Sequence, residues 1–113
     1  MHELAITESL LEIALQQAQK HNAHKVTRIN LVIGELSGVE GECVKFYFDI
    51  LSKDSVASGA ALCFQRLPLT ARCHDCDATF VPGGLDWVCP TCGGSRIEVV
   101  GGREMYVESM ELE

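Results

Sequence analysis

The sequence predicts an α+β fold: a small mixed sheet of about three strands with two helices, plus an inserted zinc-ribbon-like lobe. Apolar residues recur at helical spacing from Glu3 to about Lys20, and the period changes to two over Lys25 to Ile33. Cys73-His-Asp-Cys76 and Cys89-Pro-Thr-Cys92 stand twelve residues apart, in a Gly-, Cys- and Asp-rich stretch too small to build a core of its own. The predicted organisation is an α/β domain over residues 1–69, completed by a C-terminal strand at 103–113, with residues 70–102 inserted as a metal-binding domain.

In the first helix Leu4, Leu11, Leu15 and Ala18 form the stripe, widened by Ile6, Leu10, Ile13 and Ala14. Glu3 and Glu8 complement its positive end, Lys20 and His21 its negative end, and Asn22 is the expected stop. The strand that follows puts Thr27, Ile29, Leu31 and Ile33 on one face and Val26, Arg28, Asn30 and Val32 on the other. Ser37-Gly-Val-Glu40 has the spacing of a capping box, so the second helix is expected to start there. It should turn Cys43, Tyr47, Ile50 and Leu51, flanked by Val44 and Phe46 or Phe48, to the sheet before fraying at Ser52–Ser55. Ala57-Ser-Gly59 reads as a turn and Ala60 to Leu67 as a strand burying Leu62 and Phe64, stopped by Pro68. Met105 to Leu112 is a last extended segment. Its alternation fails between Val107 and Met110, which predicts a bulge near Glu108-Ser109 or a strand covered on both faces.

With 113 residues and 47% apolar content the chain can bury a modest core. A net charge of −7 opposes a sequence-independent grip on nucleic acid, and between Ala71 and Gly102 the basic residues besides His74 are Arg72 and Arg96. No apolar run approaches a membrane span, and Met1-His2-Glu3 lacks the look of a signal peptide, so a cytoplasmic location is expected, without membrane or nucleic-acid partners. Cys43 and Cys63 sit among apolar neighbours and read as small buried hydrophobes.

Two Cys-x-x-Cys turns joined by a hairpin bring four sulfurs to one point. Cys73, Cys76, Cys89 and Cys92 therefore describe a closed structural Zn2+ site, with Gly93 suited to the positive φ that closes a turn. Two disulfides would need an oxidising compartment, and iron in a rubredoxin-like site would betray itself by colour. Phe80, Leu85, Trp87 and Val88 are expected to cover the cage, and His74 to lie at the surface. A closed cage has no position for a hydrolytic water, and no His-Glu-x-x-His appears.

At the amino terminus the α-amine of Met1, the backbone nitrogen of His2 and its imidazole can close two fused chelate rings. Three nitrogens in one plane suit Ni2+ or Cu2+ better than Zn2+, with Glu3, a water or a partner group as the fourth donor. Taken alone, a histidine at position 2 is more often an ordinary exposed terminus. Glu35, Glu40 and Glu42, clustered before the second helix, read as a solvated helix start rather than as ligands.

Met1-His-Glu-Leu4, Gly34-Glu-Leu-Ser-Gly-Val-Glu40, the paired knuckles and the Val107-Glu-Ser-Met-Glu-Leu-Glu113 ending together resemble the HypA/HybF hydrogenase maturation factors, along essentially the whole chain. The resemblance implies a nickel metallochaperone for [NiFe]-hydrogenase assembly that turns over no substrate. Nickel would be bound through His2, the Met1 amine and the terminal backbone in the α/β domain, with Glu3 as a further candidate ligand, and structural zinc by Cys73, Cys76, Cys89 and Cys92. It implies a HypB-type GTPase and the hydrogenase large subunit as partners; homo-oligomerisation is left open.

Overall fold

The computed structural model describes residues 3–82 and 87–113. Helix α1 (Glu3–Lys20) leads into strand β1 (Val26–Gly34), helix α2 (Gly41–Leu51) and strand β2 (Ala61–Leu67). Strands β3 (Thr70–Cys73), β4 (Thr79–Phe80) and β5 (Ile97–Gly101) follow, and β6 (Met105–Leu112) ends the chain. One three-stranded sheet has the order β2-β1-β6 and a second the order β4-β3-β5. The expected α+β class with two helices and small mixed sheets is therefore observed. The chain divides into two compact units: Met1–Val32, Gly38–Gln65 and Tyr106–Glu113 form one, Ile33–Ser37 and Arg66–Met105 the other.

Helix α1 holds no glycine or proline and is built mostly of good helix formers, so its eighteen residues need little help from outside. Its end is a Schellman turn: Asn22 takes φ 52°, its N–H donates to Gln19 O at 3.2 Å, and Ala23 N–H donates to Ala18 O at 2.8 Å. The buried stripe is Thr7, Leu10, Ala14 and Ala18, with Leu11 and Leu15 half-buried and Leu4 and Ile13 exposed. Leu10, Ala14 and Ala18 lie within the broad stripe expected, while Leu4 and Ile13 of that stripe face outward. Three of the four buried side chains are small, which lets α2 pack closely where a stripe of leucines would hold it off.

Helix α2 begins at Gly41, four residues after the expected capping serine. Gly38 takes φ 73°, which no helical residue adopts, and Ser37 N–H donates to Gly34 O at 3.0 Å in a turn instead. The N-cap Glu40 makes no side-chain cap of its own; its N–H donates to Glu3 Oε2 at 3.3 Å, so a carboxylate from α1 serves the start of α2. The buried face is Gly41, Val44 and Phe48, not Cys43, Tyr47, Ile50 and Leu51. Gly41 sits against the Phe64 ring of β2, 3.3 Å from where a Cβ would stand, and this close approach sets the rotation of the helix. Ile50 and Phe46 are turned outward, and Phe46 meets Tyr47 edge to face at 5.6 Å. Cys43 is exposed and Cys63 half-buried, so neither is the core hydrophobe expected.

Strand β1 is central. Lys25 and Glu113 exchange N–H···O bonds of 3.1 and 2.8 Å, which runs β6 antiparallel to it. Val26 N–H donates to Val56 O near the start of β1 and Glu35 N–H to Leu67 O just past its end, which runs β2 in the same direction. Val26, Ile29, Leu31, Val32 and Ile33 are all within 2% of full burial, the near-continuous apolar pattern of a strand covered on both faces. On β6 the exposure pattern changes phase at Glu108 and Ser109, both exposed, where the break in alternation was expected. Asn30 Nδ2 donates to Ser109 Oγ there at 2.9 Å.

Phe48 is fully buried and Phe46 62% exposed. Phe48→Ala is expected to cost about 3–5 kcal/mol in urea unfolding, while Phe46→Ala should stay within about 1 kcal/mol. The reverse order would show that α2 had been assigned the wrong face.

Candidate metal centre

Cys73 closes β3, held to β5 through the Cys73–Ile97 register, with Arg72–Glu98 and Ala71–Val99 behind it; β4 pairs on the other side through Ala71–Phe80 and Arg72–Thr79. The chain then makes two turns of the same construction. Cys73 N–H donates to Ala78 O and Asp77 N–H to Cys73 O, both at 2.9 Å. Sixteen residues on, Cys89 N–H donates to Gly94 O at 2.9 Å and Gly93 N–H to Cys89 O at 2.8 Å. Asp77 and Gly93 take φ 62° and 76° at equivalent places. Glycine was recognisable there from sequence; aspartate, one of the few side chains tolerated in the left-handed region, was not.

The turns bring the sulfurs of Cys73, Cys76, Cys89 and Cys92 within 4.8 Å of one another. The Sγ atoms of Cys73 and Cys92 are 3.6 Å apart and those of Cys76 and Cys89 3.5 Å apart. A tetrahedral Zn2+ with Zn–S near 2.3 Å has sulfur–sulfur edges of about 3.8 Å, so the four residues fit such an ion. The cysteines are free thiols rather than disulfides. Cys73 and Cys89 are buried while Cys76 and Cys92 are exposed, so each knuckle offers one sheltered and one accessible sulfur.

Backbone amides tune these thiols unequally. The N–H groups of Cys92 and Thr91 bring Cys89 down to about 6, Thr91 donating to its sulfur at 3.4 Å. Cys76 receives help from Ala78 N–H, but sharing with Cys89 and desolvation push it up to about 12. Cys92 is likewise raised: Gly94 N–H pulls it down, and Cys73 and burial outweigh that pull. One thiolate is thus ready at neutral pH and others must be deprotonated by the metal.

His74 does not join the sulfurs. Its N–H donates to Arg96 O at 2.8 Å and its Nε2 lies 2.9 Å from Glu98 Oε2, a carboxylate also 3.4 Å from Arg72, while Arg96 reaches Asp75 at 3.3 Å. All these side chains are substantially exposed, so the pairs orient the knuckles more than they stabilise them. Phe80 is half-buried on β4, but Trp87 and Val88 are 36% and 48% exposed, so the expected apolar cover is thin; Leu85 lies outside the described residues.

Met1 and His2 also lie outside the described residues. Glu3, the residue after them, is buried at the start of α1. Its own backbone N–H, with Glu40 N–H, holds its carboxyl below the usual range against the opposing effect of burial. Glu40 and Glu42 are exposed, and Glu35 Oε2 accepts from Leu69 N–H at 2.8 Å, a role sequence reasoning missed.

A four-sulfur cage on a ribbon, carried by a chain with an α/β unit, belongs to the class of sites that can hold a metal ion. Comparisons narrow the class. The family model for hydrogenase/urease nickel incorporation, metallochaperone, hypA matches residues 1–112. The hydrogenase maturation factor HypA of Dehalococcoides mccartyi strain 195 is 49% identical over 113 residues, 100% of this chain and 95% of that one. That of Caldanaerobacter subterraneus is 42% identical over the whole of both chains. The solution structure of a HypA protein matches with a TM-score of 0.78 at 30% identity, over 100% of this chain and 97% of the other. The solution structure of the Ni metallochaperone HypA from Helicobacter pylori matches with a TM-score of 0.66 at 30% identity, over 99% and 97%. The chain belongs to the HypA family of nickel-incorporation metallochaperones for hydrogenase maturation, as the resemblance in its sequence implied. Among the described residues no helix is long and apolar enough to cross a membrane.

Because Cys76 and Cys92 hold their protons at neutral pH, Zn2+ uptake at pH 7 should release at least those two. Calorimetry in buffers of different ionisation enthalpy reads the number; uptake without proton release would contradict the assignment. Cys89→Ser should lose the ion to a competing chelator and lose amide protection at Cys73 and Gly93, with α1 amides unaffected.

Proposed function

We propose that this chain carries Ni2+ at its amino terminus for insertion into the [NiFe]-hydrogenase large subunit, while one Zn2+ stays in the cysteine cage as a structural ion. The observation that carries this reading is the completeness of the cage: four sulfurs at tetrahedral spacing satisfy one ion and leave no site for a second. A transferable ion needs another donor set, and the Met1 amine, the His2 backbone nitrogen and the His2 imidazole supply one.

Softness and access separate the two ions. Thiolates hold zinc closely, two of them buried, so the ion leaves only if the ribbon opens. Nitrogen donors in one plane suit nickel and leave the faces of that plane open to an incoming ligand set. Exchange through such a face needs no unfolding. Glu3 follows these donors in sequence, with its carboxyl held below the usual range and one oxygen toward Glu40 N–H, and is the candidate fourth ligand. A HypB-type GTPase and the hydrogenase large subunit are the proposed partners, and the cytoplasm the proposed site of action.

His2→Ala, prepared with the native free terminus, should lower nickel affinity by more than about a hundredfold, since even outer-shell changes at metal sites cost 10–100-fold. Zinc content and folding should not change. Calorimetric nickel uptake equal to that of the parent protein would reject the site.

A further inference from the structure

We infer that Gly34, Glu35 and Leu36 form a clasp across the two legs of the metal ribbon, with Glu35 as a positioning residue that keeps the legs together so that the cage can close on its ion. The inference adds to the zinc half of the proposed function and does not depend on the nickel half.

The legs are Leu67–Thr70, which enters the ribbon, and Gly101–Glu104, which leaves it. Three successive amides of the clasp bond them in alternation. Gly34 N–H donates to Glu104 O at 2.7 Å, Glu35 N–H to Leu67 O at 2.9 Å and Leu36 N–H to Gly102 O at 2.5 Å. Side chains complete the pattern: Glu35 Oε2 accepts from Leu69 N–H, and Glu104 Oε1 from Gly102 N–H, both at 2.8 Å. Glu35 is thus bonded twice to the entering leg while its neighbours on either side hold the leaving one.

The backbones meet with no room between them. A Cβ on Gly34 would lie 2.2 Å from the carbonyl carbon and oxygen of Gly102. Gly102 takes φ 112°, and a Cβ there would stand 2.9 Å from Leu69 Cα. Two glycines, one on the clasp and one on the leaving leg, are required for this approach. All these residues belong to one compact unit with the cysteines, although Ile33–Ser37 lie some thirty residues before the ribbon in sequence. Past the clasp, β3 and β5 stay paired from Thr70–Gly101, through a register shift between Thr70 and Ala71, to Cys73–Ile97 at the first cysteine of the cage.

Holding the legs has a thermodynamic effect on the metal. Binding free energy in such a ribbon is spent in part on ordering the loop that carries the ligands. A clasp that fixes the loop's base in advance leaves more of it as affinity.

Zn2+ affinity, measured by chelator competition on the full chain with no nickel present, tests this together with amide exchange. Glu35→Ala should weaken zinc about tenfold and speed exchange at Leu69, because an acceptor charge is lost from a backbone N–H. Glu35→Gln keeps an acceptor oxygen and should recover most of the loss, and Gly34→Ala should weaken zinc further than Glu35→Ala. Amides in α1 should keep their protection in all three. Unchanged zinc affinity in Glu35→Ala, equal losses in Glu35→Ala and Glu35→Gln, or parallel loss of α1 protection would each overturn the clasp. Nickel binding in the same variants answers the separate question of the terminal site.

Discussion

Four sulfurs within 4.8 Å of one another cannot all be ionised without a cation between them. Much of the ribbon's order depends on that constraint. Its own apolar contribution is small: among the described residues of 66–105, the buried hydrophobic side chains are Ala71, Cys73 and Cys89. Two of those three are candidate metal ligands. A core so small cannot offset the entropy of a segment of this length, so bonds to a metal held by the proposed cage would take the place of buried area. The α/β unit solves the same problem by ordinary means, with Phe48, Ile29, Leu31 and Val44 fully buried between sheet and helices.

On the proposed function, carrying both solutions in one chain would serve a protein that keeps one metal and passes on another. A site that gives up its ion needs donors that can be replaced one at a time, and a site that keeps its ion needs donors that move together. Each knuckle is closed by two backbone hydrogen bonds at its first cysteine, one donated by its N–H and one accepted by its carbonyl, and the legs beneath are tied by the Gly34–Leu36 segment. Glu3 begins α1 with its backbone while its side chain serves the start of α2.

What could be read from the sequence follows from where a physical signal is local. The extent of α1, its stop at Asn22, the cage, Gly93 and the break in β6 at Glu108-Ser109 each rest on a few adjacent residues, and each was legible. The rotation of α2 was not. In α2, Val44, Phe46, Tyr47, Phe48, Ile50 and Leu51 are all apolar, so periodicity alone allows several faces, and the approach of Gly41 to Phe64 across the fold makes the choice. The Ser37–Glu40 spacing imitated a capping box because it took no account of Gly38, whose positive φ excludes helix. Glu35 was read as part of a solvated acidic start; its bond to Leu69, thirty-four residues away, leaves no mark in the sequence around either residue.

The claim that most of this account depends on is that sulfur and nitrogen hold different metals. X-ray absorption at the zinc and nickel edges of one untagged sample, loaded with a single equivalent of each ion, addresses it directly. The account predicts four sulfurs at about 2.3 Å around zinc and a nickel shell of nitrogen and oxygen alone. Sulfur in the nickel shell, or zinc displaced from the cage by nickel, would contradict it.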